Sequence, residues 1–155
     1  DVAGDVPVHL EIKEKVGARR VKRRIPLPIH PEELIRLPLE HPEWLRIVDA
    51  WLPQPWRHLL PLWPVIELRY RRLRFVLPGA VDAFCLDTRI RGERFHSRLL
   101  VPAPTRDLGF GVFEQKGPSV EAHPVLRTIP RFGGRRQACS KYSMIASQAL
   151  GEDLN

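Results

Sequence analysis

Short runs in which charged and apolar residues alternate constrain this chain more than any other feature. The first is Val8-His9-Leu10-Glu11-Ile12-Lys13-Glu14-Lys15-Val16. A β-strand sends successive side chains to opposite faces. His9, Glu11, Lys13 and Lys15 therefore share one face, and Leu10 and Ile12 the other. Residues 19–27 repeat the pattern with Arg20, Lys22 and Arg24. Residues 66–76 group Tyr70, Arg72 and Arg74, and residues 112–116 group Glu114 and Lys116. Several strands with one charged and one apolar face predict an antiparallel β-barrel whose lumen is charged. A mostly cationic lumen with two carboxylates suits a polyphosphate chain and a divalent metal.

Along the chain, strands are expected at 8–16 and 19–27, joined as a hairpin at Gly17-Ala18. Residues 26–64 hold nine of the sixteen prolines. Proline favours the first turn of a helix and resists its interior, so short helices are expected at about 32–37, 43–52 and 56–60. This proline-rich segment, taken as an insertion over 28–64, is expected to pack outside the barrel. Strands follow at 65–77 and 81–88, joined by Pro78-Gly79. Residues 89–107 read as a long basic loop with a short strand at 98–101. A strand over 110–116, a loop and helix over 118–129 and a break at Phe132-Gly133-Gly134 come next. A final helix over 140–150 has Ser140 as its N-cap. The expected class is α+β, a single domain over 1–155 built as an antiparallel β-tunnel with helices outside.

The formal charge of +7 draws polyanions without naming one. Nucleic acid is disfavoured: there is no Cys/His finger and no aromatic RNA-binding strand, and the cations recur at strand period, not helical period. Charges or prolines break every apolar stretch well short of a membrane span, and the N-terminus lacks the pattern of a secretory signal. Two cysteines, Cys85 and Cys139, are too few for a disulfide scaffold and fit a reducing cytoplasm. The six histidines are scattered and suggest no metal site.

The ordered runs LEIKEK at 10–15, VKRR at 21–24, YRRLRF at 70–75, LDT at 86–88, VFEQK at 112–116 and CSKY at 139–142 resemble the VTC domain. This is the polyphosphate polymerase branch of the CYTH-like triphosphate tunnel enzymes. The resemblance covers roughly residues 8–146, and the order of six runs carries it, since each run alone is common. LEIKEK lies well inside the domain in that family, so the chain resembles its later portion. The resemblance implies phosphoryl transfer from ATP to a polyphosphate chain, with Mg²⁺ or Mn²⁺. It also leaves room for a membrane-protein partner not visible in this chain.

It implies roles residue by residue. Lys13, Lys22, Arg24, Arg72 and Lys141 match tunnel positions that hold phosphates, and Lys15 and Lys116 join them from the same strand faces. Glu114 matches the metal-binding glutamate, and Glu11 is a second expected ligand. No side chain is expected to act as a nucleophile. Independently of the family, Lys13 and Lys15 opposite Arg20, Lys22 and Arg24 would repel across the ladder unless an anion sits between them. Arginine's planar fork suits phosphate. Lys141 opens a helix, where N–H groups already favour anions. Each feature has a plainer reading: a solvated sheet face, a basic edge strand, a Glu114–Lys116 surface pair. Ala83 departs from the family pattern, which has an arginine there. Asp87 shares its parity and reads as lumen-facing, or more simply as a turn or salt bridge. Two other functions fit the same residues: a metal-dependent triphosphate hydrolase, and a polyphosphate- or phosphate-binding module without catalysis.

Overall fold

The computed structural model describes residues 7–151 except 18, 78, 80, 101–103, 118–120, 122 and 138, and only the backbone of Lys15, Val16, Arg19, Arg20 and Val125. The chain divides into two compact units, Asp1–Val65 and Ile66–Asn155.

In the first unit β1 (Val8–Val16) and β2 (Arg19–Leu27) pair antiparallel. Gly17 takes φ 61° at the reversal, a conformation that glycine enters without a Cβ clash. The register sets Lys13 opposite Lys22, Lys15 opposite Arg20, and Glu11 opposite Arg24, so cations do face cations across the ladder. The proline-rich stretch forms α1 (Pro31–Arg36), α2 (Glu43–Trp51) and a 3₁₀ helix, Gln54–Leu59. Its buried anchors are Leu39, Leu52 and Trp56. The Trp56 indole N–H donates to Glu14 Oε1 at 2.5 Å, and the Arg23 guanidinium lies 4.9 Å from the Trp56 ring. Glu14 has the strand parity of Ile12, with Arg23 opposite Ile12. The proline-rich stretch therefore covers the face of the hairpin that lacks Glu11 and Lys13.

In the second unit β3 (Ile66–Val76), β4 (Ala83–Phe95), β5 (Arg106–Asp107) and β6 (Val112–Lys116) form one antiparallel sheet. β4 is central. β3 runs along one edge, while β6 pairs with Ala83–Asp87 and β5 with Arg91–Gly92 on the other. The strand expected at 81–88 thus continues to Phe95, and the stretch expected as loop supplies its second half. Sequence alternation misses this because Arg89 sits at φ 52° and the register slips between Arg69 and Arg71. An irregularity of this kind inserts a residue and resets the parity. No strand forms over 98–100: Leu99 and Leu100 donate their N–H groups to His96 O in a turn, and Val101 lies outside the described residues. The loop and helix expected over 118–129 is a 3₁₀ helix, Pro124–Phe132, with Gly133 at φ 78° ending it.

Helix α3 (Lys141–Ala149) begins where Ser140 Oγ accepts from Ser143 N at 3.2 Å. Ile145 is fully buried and joins Ile90 and Leu108 in the core, with Leu68, Phe95 and Met144 around them. The rings of Phe75, Phe84 and Phe113 cluster with centres 5.7–5.8 Å apart, Phe75 stacked on Phe84 and edge-on to Phe113. Gly92 lets α3 approach β4. A Cβ there would lie 2.6 Å from Phe95 Cζ and 2.7 Å from Ile145 Cγ2. Gly92→Val is therefore expected to cost about 2–3 kcal/mol through overpacking, read as a lowered urea midpoint; an unchanged midpoint would remove this contact from the core.

The observed class is α+β with antiparallel sheets. Among the described residues the strands make one sheet of two and one of four, and no closed barrel. No described helix is long and apolar enough to cross a membrane.

Candidate functional site: a charged sheet face

Register alone assembles the site in the second unit. Across β3 and β4, Arg72 stands opposite Asp87 and Arg74 opposite Cys85. Across β4 and β6, Glu114 stands opposite Cys85 and Lys116 opposite Ala83. Arg72, Arg74, Glu114 and Lys116 therefore share one face, as the alternation predicts. The opposite face carries Leu73, Phe75, Phe84, Leu86 and Phe113, with Gln115 in register with Phe84.

Asp87 is the hub of that face and is fully buried. Arg72 grips it with two parallel bonds, Nε to Oδ1 at 2.6 Å and Nη2 to Oδ2 at 2.7 Å. Lys141 Nζ, from the first turn of α3, reaches Oδ2 at 2.8 Å. The Tyr70 ring lies 5.0 Å from the Arg72 guanidinium and 5.5 Å from the Lys141 ammonium, both within cation–π range. The hydrogen bond from Arg72, helped by Lys141 and opposed by burial, holds the Asp87 carboxyl down at about 2. The same bond raises Arg72. Glu114 and Lys116 pair at 3.2 Å, each about half exposed. Arg74 is exposed and has no ion-pair partner among the described residues.

The first unit carries a second cluster. Glu11 Oε1 meets Lys13 at 3.1 Å, and Oε2 meets Lys22 at 2.7 Å and Arg24 at 2.8 Å. Burial pushes the Glu11 carboxyl up, but bonds from Lys22, Arg24 and Lys13 outweigh it and leave it at about 2. The side chains of Lys15 and Arg20 lie outside the described residues.

The expected residues thus form two groups, one in each unit: Glu11, Lys13, Lys22 and Arg24 on the hairpin, and Arg72, Glu114, Lys116 and Lys141 on the sheet. The residue that sequence reasoning undervalued is Asp87. Its signal was present, a carboxylate in register with a basic strand, but its two partners come from a neighbouring strand and a distant helix. Among the described residues no three His, Cys, Asp or Glu side chains gather as a metal site. Both Glu11 oxygens are taken by cations, so Glu11 is a poor ligand for a divalent ion. Glu114 gives one oxygen to Lys116 and can offer the other to an ion otherwise held by phosphates and water.

Comparison with protein-family models, with curated proteins and with solved structures gives no match.

Proposed function

We propose that the charged sheet face holds a phosphate chain, and that the chain acts in polyphosphate synthesis as the VTC resemblance implies. The reading rests on one observation: Asp87 fixes two partly buried cations, Arg72 and Lys141, side by side. Two cations on one carboxylate leave a net positive charge, and Arg74 adds another on the same face. Arg72 commits Nε and one Nη2 hydrogen to Asp87, so its Nη1 edge remains for an anion. Lys141 sits at the N-terminus of a nine-residue helix, whose free N–H groups add to the attraction. Asp87 is then a positioning residue, spending part of the charge to set geometry.

In this reading the hairpin cluster, Lys13, Lys22 and Arg24 around Glu11, offers a phosphate chain a second cationic surface. ATP donates its terminal phosphoryl group and polyphosphate accepts it. Such transfer asks the protein mainly for alignment and charge neutralisation. Glu114 would hold a Mg²⁺ or Mn²⁺ ion through a carboxylate oxygen, and such an ion would supply neutralising charge to the phosphates.

Incubation with ATP and manganese, with products resolved on a gel, tests the chemistry. Long chains are expected. Orthophosphate alone would replace synthesis by hydrolysis, and no product with intact binding would make the chain a holding module. Glu114→Gln is expected to abolish metal-dependent turnover while leaving tripolyphosphate binding equal or tighter, because it removes a negative charge. Unchanged turnover would take Glu114 out of the metal role.

A further inference from the structure

A groove of about 760 Å³ lies in the second unit on the strand β6. It is lined by every residue from Phe110 to Gln115 on one side and by Leu126, Arg127, Ile129, Pro130 and residues 133–137 on the other. β6 pairs only with β4 among the described residues. Its outer edge therefore presents backbone N–H and C=O groups that another strand can pair with. We propose that this groove is a docking site for an extended acidic peptide segment, which adds to β6 as a further antiparallel strand.

Two observations point to that occupant. The far wall contributes three arginines, Arg127, Arg135 and Arg136, all exposed and without a carboxylate partner among the described residues. On the β6 side, Glu114 is already paired with Lys116. Gln115 Nε2 donates to the Glu121 backbone carbonyl at 3.1 Å, and the exposed Glu121 adds a second acidic residue to this wall. A free acidic side chain in the groove therefore meets unpaired arginines on one wall only. Leu126, Ile129 and Pro130 supply apolar surface between them. A strand with alternate acidic and apolar residues matches this layout, since its side chains part to opposite faces. Main-chain bonds to β6 give affinity and the alternate side chains give specificity. A second copy of β6 fits poorly, because antiparallel pairing centred on Glu114 would set one Glu114 against the other.

The probe is a fluorescein-labelled nine-residue peptide of alternating aspartate and valine, added to the 155-residue chain and followed by anisotropy. Saturable binding is expected. Methylating alternate backbone nitrogens on the peptide should weaken it at least tenfold, and so should the Arg135→Glu, Arg136→Glu double variant. A lysine–valine peptide should bind that variant better than it binds the parent. Tripolyphosphate should not displace the aspartate peptide at equal charge. Equal binding of the methylated peptide, indifference to the double variant, or displacement by tripolyphosphate would each overturn strand addition. The methylation arm leaves the protein unaltered, so it stands even if the variant folds poorly.

Discussion

Asp87→Asn is expected to lower folding stability by about 3 kcal/mol at neutral pH, a value at the low end for removing one partner from a buried ion pair. The carboxylate is fully buried and holds Arg72 and Lys141, which keep only 21% and 16% of their side-chain surface exposed. Without it, two like charges sit together where water reaches them poorly. The change also alters the acid limb. Asp87 titrates at about 2 in the fold against an ordinary 3.8. A depressed carboxyl contributes stability above its unfolded value and loses it as pH falls through the folded one. Its share, roughly 2 kcal/mol, is present above about pH 4 and disappears toward pH 2. Glu11, also held at about 2, acts in the same window. Urea titrations at pH 7, 4 and 2.5 should show the parent losing stability with acid and Asp87→Asn losing less. Parallel curves would mean that Asp87 is not the hub.

Arg72→Ala and Lys141→Ala are each expected to weaken tripolyphosphate binding by about 1.5–3 kcal/mol, the range for a charged hydrogen bond. The reason lies in the charge on Asp87. Two cations leave one net positive charge. Losing either cation leaves a neutral pair, and losing both leaves a bare carboxylate facing the ligand. The double variant should therefore bind below detection, and the two losses should not add simply, because the residues share a partner. Arg72→Lys should recover little, since an ammonium cannot grip Asp87 through two parallel bonds and still present a free edge. Calorimetry of all four variants measures this. Single-variant losses below about twofold would place phosphate elsewhere.

How much of this could be read from sequence depends on whether a feature is local. The hairpin β1–β2, the Ser140 cap and the charged faces of β3 and β6 follow from period-two alternation and cap chemistry, which act over a few residues. Arg89 shows the limit. One residue with positive φ resets the parity of β4, so a strand of thirteen residues reads as a short strand and a loop. Asp87 shows another limit. Its importance lies in register with Arg72 and in the placement of Lys141, fifty-four positions away in the numbering, and neither is a property of the LDT run. The arginines at 135 and 136 belong to no motif in the sequence, and only the groove beside β6 gives them a common wall. Glu11 reads as a metal ligand from its strand face, whereas the folded hairpin surrounds it with three cations.

Under the proposed function, Arg72 and Lys141, set by Asp87, receive a phosphate chain. Nuclear magnetic resonance of the Arg72 Nε–H and the Lys141 ammonium during addition of tripolyphosphate at 0.15 M salt tests it most directly, with duplex DNA of equal charge as competitor. The two cations keep little side-chain surface exposed, so a slim phosphate chain should reach them and a rigid duplex about 20 Å wide should not. Saturable shifts at Arg72 and Lys141 that DNA does not reverse are expected. Shifts confined to exposed arginines such as Arg135 and Arg136, or full displacement by DNA, would contradict it.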